Sequence, residues 1–516
     1  MKFVFGAIWI FMGWSQPVHA GPLPGSWYAD PSLFPKAYGI IADEHLMHPV
    51  DMSDWPVKID SSHQLFVDDY LIASMNNVHR QVHPARKHRR NPLIVPDNPC
   101  EGQGGMNPLI LRDEATGRFQ HWYSAYHTLA ANEKPNYVTC YAESEDGIHW
   151  TKPDVNLFKY PNTTANNIVV PDGRIRALFY EPRDPDPLRR YKALVLRYPN
   201  QAAEGYYLHT SPDGIHWTQA RQEPVAWSLK SVLAGGGYKL PQSGIGDSST
   251  FRWDERLNKY IGDVKFVLPP IMRSRGIMES EDLIHWTRPR MMFYPDGLDD
   301  PDSQIYGHIG FAYESMWLGF LRVYHEIKAP ASAKQTTVEL TTSRDGRHWT
   351  RAGHREEVLP LGRSDDWDAH YHNPGTPPLL VGDQIWIYYT STPIRENKTG
   401  QRHCLGLATL RRDGFASLDA TDQQGTVFTR PLTFNGKALY VNAQISKGGY
   451  LKAELRDCVG KAVGKYTLDR CTPVIGDVLR SQVLWGEQRG IEHDSSQSLR
   501  LVFELKNAKL YAFWIE

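Results

Sequence analysis

Cysteine is scarce in this chain, five in 516 residues, which is too few for a disulfide scaffold, and the odd number leaves one thiol without an intrachain partner. Cys458 and Cys471, on either side of a hairpin pattern, are the one couple placed to pair. No C-x-x-C occurs, so a zinc ribbon and a dithiol redox motif are excluded. Beyond the first 20 residues no run reaches the roughly 18 apolar residues of a membrane span, and no cysteine follows that leader to carry a lipid. Neither sign of charge prevails: 57 Lys and Arg stand against 58 Asp and Glu, a formal net charge of −1. Nothing in that balance favours a polyanion such as nucleic acid, and a neutral ligand is the expected partner. Helical periodicity is missing as well, so helix is expected to be scarce.

The leader itself has Lys2, an apolar run from Phe3 to Trp14 and Val18-His19-Ala20 before Gly21. This is the pattern of a cleaved secretory signal over 1–20, and it predicts an exported, soluble protein, periplasmic or extracellular. Residues 21–62 carry Pro, Asp, Trp and His without a period and read as an irregular lead-in.

What the chain does have is a repeat. Ser144-Glu145-Asp146-Gly147-Ile148-His149-Trp150 recurs at Ser211 to Trp217, Ser280 to Trp286 and Ser343 to Trp349, so the tryptophans are spaced by 67, 69 and 63 residues. A worn copy, Arg412-Asp413-Gly414-Phe415, follows 66 residues after Trp349. Asp-Gly supplies a positive-φ turn, Ser and Asp cap its backbone, and the aromatic ring covers the joint between units. Each unit has room for four short strands, and five units predict a five-bladed β-propeller over 63–422. His149, His216, His285 and His348 occupy one position of every full copy, which suits shared packing rather than chemistry in every blade.

Leu65 to Ile72 reads as a strand that completes the last blade and closes the ring; its Asp68 and Asp69 face opposite sides, so they are not an acid pair. After Thr421 the repeat stops, and alternation in Ala438 to Asn442, Leu451 to Arg456, Leu499 to Glu504 and Leu510 to Ile515 predicts a β-sandwich over 430–516. The fold class is therefore all-β.

Inner strands of a propeller converge on a central funnel, so polar residues at their leading ends meet. Blade one enters through Pro99-Cys100-Glu101-Gly102-Gln103-Gly104-Gly105 and blade three through Gly244-Ile245-Gly246-Asp247-Ser248-Ser249, each a single acid among glycines. Glu101 and Asp247 are the leading catalytic candidates, and Asp302 on blade four is the third. Gln304, Tyr306 and His308 share a face with Asp302 if that strand is regular, and Asp368, His370 and His372 alternate on blade five. These six are the candidate substrate-binding residues. No cofactor is expected; two histidines on one face could hold a metal with Asp368, but sugar hydroxyls use the same donors and acceptors. Blade two offers Asp172, Arg174 and Arg176 before its inner strand, with Arg183-Asp184-Pro185 in the loop after it. Carboxylates converging on a wet funnel are what glycosidic cleavage needs.

The leader, the five blades marked by four copies of S-x-D-G-x-H-W type and one worn copy, the Leu65 opener, Asn166-Asn167-Ile168-Val169, Arg190-Tyr191-Lys192 and the final sandwich together resemble the exported glycosidase-like proteins of the five-bladed arabinanase, levansucrase and invertase superfamily. Those proteins are similar to glycoside hydrolase families 43 and 32, and the likeness covers about residues 60–516. The resemblance implies acids on the first three blades. Glu101 takes the first-blade place and Asp247 the third, with Glu and Asp exchanged; the second-blade acid has no match, and the absence of W-x-N-D-P-N-G speaks against fructosidase activity. The sialidase box has one more residue between Asp and Gly, and its six units exceed these five. The expectation is an exported glycoside hydrolase acting on a neutral or weakly charged poly- or oligosaccharide. The alternative is a propeller that binds glycans without cleaving them.

Overall fold

A computed structural model describes residues 41–45, 54–127, 136–160, 163–199, 203–228, 244–268, 272–325, 336–393 and 402–516. The expected signal, 1–20, and most of the lead-in lie outside the described residues. The turn chemistry of the repeat forms as read. Asp146 accepts from the backbone N–H of Ile148 and His149 at 2.8 and 2.7 Å, Ser144 Oγ accepts from Gly147 N–H at 2.8 Å, and the Trp150 indole closes on the Gly147 carbonyl at 3.1 Å. Asp213, Asp282 and Asp345 repeat these bonds. The histidine of each full copy points outward and bonds its own Asp, at 2.5–2.6 Å in all four.

Glycine is required in the first copy for two reasons. Its φ is 72°, and a Cβ at Gly147 would lie 2.4 Å from the Tyr388 hydroxyl of the neighbouring blade. The third copy places Leu283 in the same left-handed backbone, at φ 66°. That conformation costs about 1–2 kcal/mol, but Leu283 is buried in a core cluster with Phe251 and Trp286, and burying a leucine is worth about 1.5–3 kcal/mol. Packing therefore wins there.

Five antiparallel sheets follow around the ring. Blade one is Gly105–Arg112, Phe119–His127, Asn136–Ser144 and Ile168–Val170. Blade two is Gly173–Tyr180, Tyr191–Arg197, Gly205–Ser211 and Thr218–Gln219. Blade three is Thr250–Asp254, Lys259–Leu268, Met272–Ser280 and Arg290–Phe293, and Ile41–His45 adds in parallel to its outer strand. Blade four is Ser303–Tyr313, Met316–His325, Thr336–Ser343 and Thr350–Arg351. In blade five, Asn373–Pro374 and Leu379–Val381 both pair with Gln384–Ser391, which pairs with Cys404–Arg411. The fold is a five-bladed β-propeller. Helix among the described residues is confined to 3₁₀ turns, of which Pro99–Glu101 and Pro187–Arg189 are complete.

Ring closure differs from expectation. Arg86–Lys87, not Leu65 to Ile72, supplies the last strand of blade five. Within the expected opener only the two ends are strand: Leu65, in Gln64–Leu65, pairs with Leu499–Ile515, and Ile72, in Ile72–Asn76, pairs with Gly425–Thr429. The reason is Asp68: its carboxylate takes the Tyr70 N–H at 3.1 Å and the Arg344 guanidinium at 2.6 and 2.9 Å, which turns the chain. Side chains alternate all the same, with Leu65 and Val67 in the core of blades four and five and Phe66 in the sandwich core. The segment is a layer between the two.

Lys87 locks the closing strand, its Nζ lying 2.6 Å from the Asp368 carboxylate, which is buried at 2% exposure. Lys87→Ala leaves that carboxylate with only the Tyr389 hydroxyl and is expected to cost about 3–5 kcal/mol, read as a lower urea midpoint. An unchanged midpoint would show that this pair does not hold the ring shut.

Leu439–Asp457 and Leu499–Ile515 pair along most of their length, with register shifts after Asn442 and after Ile445. They carry a ten-stranded β-sandwich that also takes Val57–Lys58, Ile72–Asn76 and His79–Val82 from the N-terminal side. The fifth, worn repeat sits at the seam. Where the full copies use a histidine three residues after Asp, position 416 is Ala. Asp413 takes His63 Nδ1 at 2.7 Å instead, together with the Tyr313 hydroxyl at 3.0 Å and the Asn442 amide at 2.9 Å.

Candidate functional site

A ring of cross-blade hydrogen bonds ties each blade to the next near the leading ends of the inner strands. Thr139 Oγ1 donates to the Gly173 carbonyl, Arg176 to Ser249 O, Ser248 Oγ to Tyr306 O, Arg322 to the Tyr371 hydroxyl, and the Asn373 amide to Asn107 Oδ1. Blade one is thereby tied to two, two to three, three to four, four to five and five back to one. The leading ends of the strands share one region.

Asp247 stands in it. Its side chain is 50% exposed, yet Lys265 bonds it directly and Arg174 lies 3.9 Å away. Surrounding protein atoms work against its ionisation, but the charges of Lys265 and Arg174 and the bond from Lys265 outweigh them and hold the carboxyl far below its ordinary range. Asp247 is thus a permanent carboxylate. It can attack, accept a proton or stabilise a cation, and it does not donate a proton near neutral pH. Arg174 stacks on Tyr137 at 4.1 Å and bonds the Tyr198 hydroxyl; Tyr306 and Tyr324 stack at 5.4 Å across the way. Rings of this kind suit sugar faces.

Glu101 is placed differently. It is 1% exposed and closes a capping box on Pro99–Glu101. Its oxygens accept from the backbone N–H of Asp97 and Asn98, the Tyr123 hydroxyl and Lys152 Nζ, all within 2.7–2.9 Å. No residue among those described bonds both Glu101 and Asp247. Asp302 is half-exposed at the rim of blade four, grouped with Asp300 and His325 so that one ligand atom from each falls within 4.8 Å of the others.

The blade-four stripe breaks. A bulge between Ile305 and Gly307 ends the alternation on which a shared face for Gln304, Tyr306 and His308 depends. Tyr306 stays half-exposed and Gln304 accepts from Arg273 at 2.7 Å. His308 is buried between Asp263 at 3.0 Å and Thr341 at 2.9 Å, and burial pulls its pKa down. It ties blades three and four together. Gly307 is the complement of this bulge: a Cβ there would lie 2.3 Å from Arg322.

Blade five also departs from the expected alternation, because Asp368 and His370 lie in turns before the strand begins at Asn373. Asp368 is bound to Lys87 and Tyr389, and His372 to Ser391 Oγ and the Pro360 carbonyl, each at 3.0 Å. Burial holds His372 at about 4, hence neutral. Asp368 and His372 therefore spend their polar atoms on the blade itself. His370 is half-exposed and its carbonyl accepts from Thr336 N–H at 3.2 Å. Cys458 and Cys471 are both free, one exposed and one buried.

Several residues at the site stand away from the leading ends of the inner strands. Lys265, Arg273, Arg275 and Arg322 lie within strands of blades three and four, and Glu204, 8% exposed, precedes the third strand of blade two. The negative charge of Glu204 acts on Tyr198, the partner of Arg174. A charged residue inside an otherwise apolar strand, as in Val264-Lys265-Phe266, was the available clue.

Strand pairing alone thus defines the class, an all-β propeller of five blades joined to a β-sandwich. No protein-family model matches the chain, and no curated protein matches it. Solved structures similar to it include a thermostable family-43 glycoside hydrolase, at 12% identity and TM-score 0.43 over 63% of this chain and 95% of that one. A structure titled for the GH130 family of mannoside phosphorylases has 14% identity and TM-score 0.42, over 64% and 94%. The Bombyx mori GH32 β-fructofuranosidase BmSUC1 has 9% identity and TM-score 0.42, over 84% and 94%.

Proposed function

We propose that this protein is a glycoside hydrolase whose reacting carboxylate is Asp247. The observation that carries the reading is a solvent-reaching acid, held ionised by Lys265 and Arg174, at the convergence of the inner strands and among tyrosine rings. Such a group attacks an anomeric carbon or activates the water that does. Cleavage also needs an acid to protonate the departing oxygen. Glu204 takes that part here, being on blade two, where the resemblance left the acid unmatched, with Asp302 half-exposed on blade four. Glu101 is left with the cap.

The test is reducing-end release from a polysaccharide panel, followed by Glu204→Gln on whichever glycan is cleaved. The variant is expected to lose polymer hydrolysis by about 10²–10⁴-fold while keeping turnover of an aryl glycoside of the same sugar, whose leaving group needs no proton. Equal loss on both substrates would remove Glu204 from the role. A non-catalytic glycan-binding propeller is the second reading, favoured by the fact that Asp247 is the one half-exposed carboxylate bonded into this cluster among the described residues; binding without release on every glycan would establish it. Export is part of the proposal and rests on the leader, 1–20: a mature N-terminus at Gly21 is expected outside the cytoplasm.

A further inference from the structure

The charge around Asp247 does not balance. Six cations surround this region: Arg174 and Arg176 on blade two, Lys265, Arg273 and Arg275 on blade three, and Arg322 on blade four. Asp247 serves Lys265 and Arg174. Asp263 is committed to Arg252 at 3.1 Å and His308 at 3.0 Å, and Glu204, whose charge acts on Tyr198, brings the count to six cations against three carboxylates. Among the described residues Arg176, Arg273, Arg275 and Arg322 make no ion pair; their guanidinium groups bond neutral oxygens, Ser249 O, Gln304 Oε1, Ser248 O and the Tyr371 hydroxyl. Lys265 and Arg275 stand directly opposite on neighbouring strands, a like-charge pairing that destabilises a sheet. The cations are felt by one another. Burial and then Arg322 push Arg275 down, and burial and then Arg174 push Arg176 down.

Burying several like charges without counter-ions costs free energy that a fold has no structural reason to spend. An anion arriving from outside would recover it. We infer that the glycan taken by this funnel carries an anionic group, a carboxylate or a sulfate ester, seated against half-exposed Arg273 where its guanidinium lies 5.6 and 5.0 Å from the Tyr306 and Tyr324 rings. Arg322, 5.3 Å from the same Tyr306 ring, and Arg176 supply positive field behind it. The formal charge of −1 conceals this, because the acids that balance these arginines lie elsewhere on the molecule. The inference rests on reading the Asp247 region as the site.

Binding, which needs no turnover, separates the two claims. Calorimetric titration at about 0.15 M ionic strength would use polygalacturonate, a sulfated galactan, its desulfated form and a neutral galactan. Saturable binding of polygalacturonate or the sulfated galactan is expected, with the neutral and desulfated chains at least about tenfold weaker; which anion binds distinguishes carboxylate from sulfate. Arg273→Gln is expected to weaken that binding about tenfold, and Arg273→Lys to restore most of it. Arg183→Gln removes the same charge from an exposed loop at the other end of blade two and should change nothing. Equal affinity for neutral chains, no binding of either anionic glycan, or an equal loss with Arg183→Gln would overturn the inference. A hydrolase of neutral glycans would fail this assay and still release reducing ends.

Discussion

Asp247→Asn is expected to lower turnover by about 10²–10⁴-fold, the loss falling on kcat. The neutral amide can neither attack nor take a proton, while the tyrosines and arginines that grip a sugar stay in place. The same change should lower the melting temperature, since Lys265 is buried and loses the carboxylate that bonds it, and Arg174 loses the charge 3.9 Å away. Added inorganic sulfate should restore part of that loss in the variant and do less for the parent. Activity must therefore be compared at a temperature where circular dichroism shows both proteins folded. Parental turnover in the folded variant would remove Asp247 from the chemistry.

Glu101→Gln is expected to act on stability first. Glu101 accepts from two backbone N–H groups, a tyrosine and a lysine while 1% exposed. An amide in its place turns a donor toward donors and removes one of the two carboxylates that Lys152 bonds, the other being Asp97 at 2.5 Å, so a loss of about 1–3 kcal/mol is expected. Urea unfolding should show a clearly lower midpoint, with turnover per folded molecule retained. The opposite pattern, an unchanged midpoint with activity gone, would return Glu101 to the catalytic role that its blade-one position suggested.

The blades were legible because their markers are local. Ser, Asp, Gly and Trp within seven residues make the whole turn network, so reading one copy reads four. The sandwich was legible from strand alternation for a similar reason. What could not be read depends on distant partners: His63 meets Asp413 across 350 positions, and Arg344 is the group that turns the chain at Asp68. The bulge at blade four has no mark in Gln304-Ile305-Tyr306-Gly307 beyond the glycine, and it moved His308 from the funnel into the wall. The role of Glu101 was legible in hindsight, since Asn98-Pro99-Cys100-Glu101 has the spacing of a capping box with Pro at its first position. The arginine cluster escaped because whole-chain charge averages away its segregation.

Asp247→Ala assayed in sodium azide tests the central claim most directly. Removing the carboxylate opens room for a small anion beside the anomeric carbon, and Lys265 and Arg174 are in place to hold one. With an activated aryl glycoside of the sugar that the parent releases, the account predicts no turnover in buffer and azide-dependent turnover that yields a glycosyl azide, identified by its mass. Turnover at the parental rate without azide, or no glycosyl azide from a folded variant that still binds the glycan, would contradict it.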